Sequence, residues 1–241
     1  MTGSSAGTPD ETRARPHLGR KLLHAFSSAD SYGFVLLLIF VAYGVAITLD
    51  QSWGLSLVLA VQMVTVWVSL RTSHARRPLR AIASVLVIFS AVVALVHLVR
   101  PDNETVGTAG WVLASLLYFL APLSILRHLV SRRVVDLETV LGALAAYLLI
   151  GMFFALVYQS MAHVQGGAFF GTGGEGTFPQ DLFFSFTTLT TTGYGNLVPA
   201  ANPGQTFAVA EMLIGQLFLV SAVAKVVNAW QPSRPAGSGG A

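Results

Sequence analysis

Cysteine is absent from the 241-residue chain, and charged side chains are scarce. Without cysteine the protein has no disulfide, no thiolate metal site and no cysteine nucleophile. Asp, Glu, Lys and Arg make up only 10% of the residues, whereas soluble domains contain about 25%. The chain is 54% hydrophobic, and its mean hydropathy is +0.66. There are too few polar residues to cover a water-facing surface, so the composition predicts an integral membrane protein. The apolar segments of the chain, which are long enough for bilayer-crossing helices, make the predicted fold class all-α.

Six apolar segments have about the 20 residues that a bilayer-crossing helix needs. They are residues 31–49, 53–70, 79–99, 109–126, 137–158 and 205–230. A seventh apolar segment, residues 180–191, is about half as long and leads into a glycine-containing stretch. We predict that it is a re-entrant pore helix; a helix lying on the membrane surface is the alternative.

The positive charges predict how the chain is oriented. If the N-terminus is cytoplasmic, every one of the 14 Lys and Arg residues except Arg100 lies on the cytoplasmic side. This distribution follows the positive-inside rule, and the opposite orientation violates it. We therefore expect a multi-pass protein of the plasma membrane with both termini in the cytoplasm, and residues 191–195 entering from outside.

The stretch Thr-Thr-Gly-Tyr-Gly at residues 191–195 carries the chemistry. Backbone outside a helix is tolerated at membrane depth only where it is buried in protein or lines a wet cavity. Gly193 and Gly195 can take positive φ, and their alternation with other residues can turn successive carbonyls to the same side. Rings of such carbonyls can replace the water around a potassium ion. Tyr194 is expected to brace the loop from behind.

Residues 184–199, Phe-Ser-Phe-Thr-Thr-Leu-Thr-Thr-Thr-Gly-Tyr-Gly-Asn-Leu-Val-Pro, closely resemble the pore signature of potassium channels. The resemblance covers roughly residues 137–230, a helix–pore loop–helix unit. It implies a homotetramer, because four such units surround one axis and this chain has one. It implies that Gly195 and Asn196 shape the outer mouth. It also implies that K⁺ binds to the backbone carbonyls of Thr191, Thr192, Gly193 and Tyr194. The hydroxyl of Thr191 is implied as a further ligand.

The stretch departs from the potassium channel pattern at several positions. Asn196 replaces the usual Asp, and Thr192 replaces the commonest Val. Phe183 and Phe184 stand where many members have tryptophan. In those members the indole N–H hydrogen-bonds the aspartate that Asn196 replaces here, and phenylalanine has no such N–H. We therefore expect different bracing behind the filter, and a weakly selective cation channel stays an alternative to a strictly K⁺-selective one.

Two residues of the last span are candidates for gating and support. Gly215 follows Gly195 by 20 residues, the spacing of the hinge glycine in many family members, but a close-packing glycine is an equal alternative. Glu211 is the only acidic residue deep in a span, which makes it a functional candidate. We expect it to support the filter as a protonated or hydrogen-bonded partner of Thr187, Thr188 or the pore-helix backbone; direct ion binding is the alternative.

The first four spans have the layout of a voltage-gated channel without its sensor. The fourth span, residues 109–126, contains no Arg or Lys, so we predict a voltage-insensitive channel. The predicted organisation is a cytoplasmic segment with an amphipathic helix (1–30), a four-helix peripheral bundle (31–130), a pore domain (131–230) and a disordered tail (231–241).

The resulting prediction is passive K⁺ conduction. A potassium-uptake subunit is less favoured, because such systems carry four pore loops in one chain. No catalytic Ser/His/Asp set or phosphate loop is evident, so we predict no enzyme activity. K⁺ ions in the filter, further copies of the chain and the lipid bilayer are the expected partners; nucleic acid is not, and a separate regulatory subunit stays open.

Overall fold

The computed structural model describes residues 32–45, 51–72, 77–100, 103–131, 135–165 and 168–229. The described residues form helices joined by short connections and contain no strand. The predicted cytoplasmic segment 1–30, with its amphipathic helix, and the predicted tail 231–241 lie outside these ranges. A short 3-10 turn, Gly171–Gly173, interrupts the connection before the pore helix. In chain order the α-helices are α1 (Tyr32–Val45), α2 (Gln51–Thr72), α3 (Arg77–Val99), α4 (Glu104–Ser131), α5 (Leu137–Gln165), α6 (Phe178–Leu189) and α7 (Gly204–Ala229).

Four of the described helices are long and apolar enough to cross a membrane. Their spans are Ala81–Val99, Glu104–Val130, Leu137–Gln165 and Gly204–Asn228. The described parts of the first two predicted spans form shorter apolar helices, Tyr32–Val45 and Leu59–Leu70. The described residues therefore account for four of the six predicted spans by length and composition.

The helices are organised around two cores. In the larger core, α4 packs against α2, α3 and α5, and buried side chains such as Val35, Leu59 and Leu117 fill the space. The second core lies between α5, α6 and the preceding loop and is largely aromatic, with Phe154, Tyr158 and Phe184. The helix α5 belongs to both cores, so it connects α6 to the remaining helices.

The short helix α6 begins and ends two residues earlier than predicted, at Phe178–Leu189 instead of residues 180–191. At its start, the Thr177 N–H donates to Gln180 Oε1 at 2.8 Å, and Pro179 occupies the first turn. At its end, Thr191 has φ of 57°, which is incompatible with a right-handed helix. Asp181 also lies in the first turn, where a negative charge is favoured by the helix dipole.

Candidate functional site

The backbone after α6 alternates in handedness. Thr191, Gly193 and Gly195 have φ of 57°, 53° and 78°, whereas the intervening Thr192 and Tyr194 do not have positive φ. The positive φ expected at the two glycines is confirmed. Thr191 is the only non-glycine residue with positive φ among the described residues, and such strain clusters at functional sites. Alternation of this kind turns successive peptide planes so that their carbonyls share one side.

Hydrogen bonds to the end of α6 fix the direction of the first of these carbonyls. The Thr192 and Gly193 N–H groups donate to the Thr187 carbonyl at 2.8 and 3.1 Å, and the Thr191 N–H donates to the Thr188 carbonyl at 3.0 Å. In a trans peptide the carbonyl points opposite to the following N–H. The carbonyls of Thr191 and Thr192 therefore point away from α6, and no backbone donor of the helix satisfies them.

The whole stretch 190–196 is exposed in the single chain. The Tyr194 side chain is 71% exposed, and its ring stacks on Phe183 with centroids 5.8 Å apart and planes 13° apart. Tyr194 was expected to brace the loop, and its ring does so by stacking on Phe183 of α6 in the same chain. Phe184 points the other way and packs edge-on against Tyr158 and Phe170 in the aromatic core. The paired phenylalanines consequently pack on different sides of α6, Phe183 against Tyr194 and Phe184 in the aromatic core.

Two polar side chains that the sequence analysis did not single out hold the junction of α6 and the loop. The Tyr147 hydroxyl of α5 donates to the Leu189 carbonyl at 3.2 Å, and Gln216 Nε2 of α7 donates to Thr191 Oγ1 at 3.2 Å. Gln216 is a polar residue next to Gly215 inside an apolar span, and this pattern could have predicted a polar contact for it. The contact of Tyr147 has no such signal, because it depends on the rotation of α5.

Gly215 lies directly beneath the end of α6. A Cβ atom built on it would overlap the Leu189 carbonyl oxygen and would lie 3.0 Å from Leu189 Cδ1. The same carbonyl accepts the hydroxyl of Tyr147. The structure therefore gives Gly215 a packing contact, and the hinge role stays a prediction.

Glu211 is fully buried, and its partners differ from those predicted. Its Oε2 lies 2.6 Å from the Tyr158 hydroxyl, and its Oε1 lies 2.5 Å from Ser185 Oγ. Neither Thr187 nor Thr188 is its partner: the Thr187 hydroxyl donates to the Phe184 carbonyl instead. The prediction was wrong because Ser185, two residues before Thr187 and three before Thr188, is the residue of α6 that contacts Glu211. The hydrogen-bond partners of Glu211 thus lie on α5 and α6 and are not the exposed carbonyls.

Asp181 is a second buried acid, at the start of α6. It is fully buried, and neither carboxyl oxygen has a hydrogen-bond partner among the described residues. Burial raises the pKa of Asp181 to about 8. No group of three or more His, Cys, Asp or Glu side chains suited to a metal ion occurs in the described part of the chain.

Comparison with known proteins assigns the same region of the chain. Residues 142–231 match a family model described as an ion channel. The match begins in the second turn of α5, runs past the end of α7 and contains every site residue described above. No curated protein and no solved structure matches the chain. Together with the apolar helices, the match supports a passive ion channel located in a membrane and argues against an enzyme.

Proposed function

We propose that the protein is a potassium-selective, voltage-insensitive channel in which four copies surround one pore. The alternating backbone at residues 191–195 carries the proposal. It presents carbonyls to the open side of the chain, at the end of a helix half as long as a span. Carbonyl oxygens in this arrangement can replace the hydration shell of K⁺. The proposed ligands are the carbonyls of Thr191, Thr192, Gly193 and Tyr194 with the Thr191 hydroxyl.

The exposure of the single chain supports assembly. Backbone polar groups at membrane depth must lie against protein or a wet cavity, yet residues 190–196 are exposed. Only 17% of the span window of α7 is buried, compared with 61% for α5. A symmetric assembly around the exposed loop and α7 covers both surfaces and leaves Gly195 and Asn196 at the outer mouth. We propose six spans, both termini in the cytoplasm, and the plasma membrane as the location.

The absence of charge from α4 supports voltage insensitivity. Between Glu104 and Arg127 this helix has no ionisable Lys, Arg, Asp or Glu. Moving one charge through the membrane field yields about 2.3 kcal/mol per 100 mV, so a helix without charges gains nothing from the field.

A purified-protein flux assay tests the proposal. Wild-type protein in liposomes is expected to conduct K⁺ in a manner that barium blocks. Gly193→Ala places a side chain where φ is 53°, which costs about 1–2 kcal/mol, although no atom lies within 4 Å to obstruct it. Gly107→Ala also meets open space, but in a helix, and is the matched control. Loss of flux in both variants, or in neither, would contradict the proposed filter.

A weakly selective cation channel is the second candidate. Thr192 and Asn196 depart from the residues commonest in the family that the stretch resembles, and both lie in the exposed loop. Permeation by Na⁺ comparable with that by K⁺ in the same liposomes would favour this candidate.

A further inference from the structure

Three helices meet at one buried hydrogen-bonded chain behind the proposed filter. Glu211 of α7 contacts the Tyr158 hydroxyl of α5 at 2.6 Å and Ser185 Oγ of α6 at 2.5 Å. Ser185 Oγ also lies 2.7 Å from the Gly151 carbonyl oxygen of α5. Glu211 and Ser185 are fully buried, as is Tyr158. Each contact is short enough to require a proton between its two oxygens.

Counting protons assigns the state of the carboxyl group. A serine hydroxyl carries one proton, and a carbonyl oxygen can only accept. Ser185 therefore donates to Gly151, and the 2.5 Å contact with Glu211 needs a proton from the carboxyl group. The Tyr158 hydroxyl donates its own proton to Glu211 Oε2. All three contacts are satisfied together when Glu211 is a neutral acid.

The surroundings offer no charge that would favour the ionised form. The titratable groups that interact electrostatically with Glu211 or Tyr158 in the described part of the chain are Tyr147 and Tyr158 on α5 and Asp181 on α6. None of them is basic. An ionised carboxylate buried at membrane depth without a cation is strongly unfavourable.

We infer that Glu211 is a positioning residue that holds the pore helix through its acid proton. The carboxyl O–H donates to Ser185, Ser185 donates to the Gly151 carbonyl, and α7 is thereby linked through α6 to α5. Ser185 lies one turn before Leu189, so this link fixes the end of α6 from which the loop departs. When the carboxyl group loses its proton, the single Ser185 hydroxyl proton can be donated either to Glu211 or to the Gly151 carbonyl, so one of the two hydrogen bonds is lost. The effect on conduction rests on the proposed channel function, whereas the assignment of the proton does not.

Glutamine and leucine at position 211 separate the hydrogen bonds from the charge and the volume. The glutamine amide N–H can donate to Ser185, and its carbonyl can accept from Tyr158. We expect Glu211→Gln to conduct as the wild type does, with a flux that is less sensitive to alkaline pH. Glu211→Leu keeps a side chain of similar size but removes the acceptor of the Tyr158 hydroxyl and the donor to Ser185 Oγ. We expect its open probability to fall by about tenfold or more.

Infrared spectroscopy of the purified protein tests the proton without any flux measurement. At neutral pH, the carbonyl stretch of a protonated carboxylic acid should be present in the wild type and in Asp181→Asn, and its Glu211 component should be lost in Glu211→Gln. Identical spectra of wild type and Glu211→Gln in this region would overturn the assignment. Identical pH profiles of their fluxes, or a Glu211→Gln channel as impaired as Glu211→Leu, would overturn the positioning role. Absence of flux in every protein together with the expected infrared change would retain the assigned proton and refute the channel.

Discussion

Replacing Gly215 by alanine tests the close contact between α7 and the pore helix. The added Cβ atom would overlap the carbonyl oxygen of Leu189. Because the obstructing atom belongs to the backbone at the end of α6, no side-chain rotation relieves the overlap. Either α7 moves away or the end of α6 shifts, and the loop that begins at Thr190 shifts with it.

Two opposing effects set the size of the change. Alanine in place of glycine inside a helix stabilises the protein by up to about 1 kcal/mol. Overpacking a filled contact destabilises it by about 1–3 kcal/mol. Gly107→Ala in α4 has the first effect alone, because no atom lies within 4 Å of the added Cβ. We therefore expect the unfolding free energy of Gly215→Ala to be about 1–3 kcal/mol below that of Gly107→Ala.

Unfolding of the two purified variants in detergent, by heat or by SDS titration, measures this difference. Equal stability of the two alanine variants would refute the close contact. Single-channel records of Gly215→Ala examine the hinge separately, since a hinge role predicts an altered open probability with unchanged ion preference. Unchanged gating would remove the hinge.

The other predictions concern the buried acids and the peripheral helices. Tyr158→Phe leaves Glu211 Oε2 without its donor and should lower the unfolding free energy by about 1–3 kcal/mol, whereas an unchanged value would show that the 2.6 Å bond contributes nothing. The pKa of Asp181 lies at about 8 in the folded protein, above its ordinary value of 3.8, so the folded state binds this proton more tightly. Stability should therefore fall as pH rises from about 4 to about 8 and level off above, and Asp181→Asn should lose this dependence; a retained slope would exclude Asp181 as its source. Current–voltage curves should lack steep gating, and a steeply voltage-dependent current would contradict the reading of the uncharged α4.

The local features of the site followed from local sequence. Glycine at positions 193 and 195 predicts positive φ, because only glycine adopts it freely, and both residues have it. Proline and acidic residues are favoured in the first turn of a helix, and Pro179 and Asp181 lie there in α6. The end of α6 was misplaced because Thr191, a β-branched residue, gives no sign of its φ of 57°.

The partners of buried side chains could not be read from the sequence. Tyr158 and Ser185 lie 53 and 26 residues from Glu211, so their meeting depends on how α5, α6 and α7 are rotated about their axes. An apolar helix has no amphipathic pattern to fix that rotation, and the chain alone offered Thr187 and Thr188 as equally plausible partners. The contact of Gly215 with Leu189 could not be predicted for the same reason. Sequence spacing gives the position of a glycine along its helix but not the residue that it packs against.

The reversal potential in mixed K⁺ and Na⁺ tests the central claim most directly. Purified wild-type protein in a planar bilayer, with K⁺ on one side and Na⁺ on the other, should give a current whose reversal potential follows the K⁺ gradient. The open probability should not depend steeply on the holding potential. A reversal potential near zero with equal concentrations of the two ions would show that the carbonyls of residues 191–194 do not select potassium.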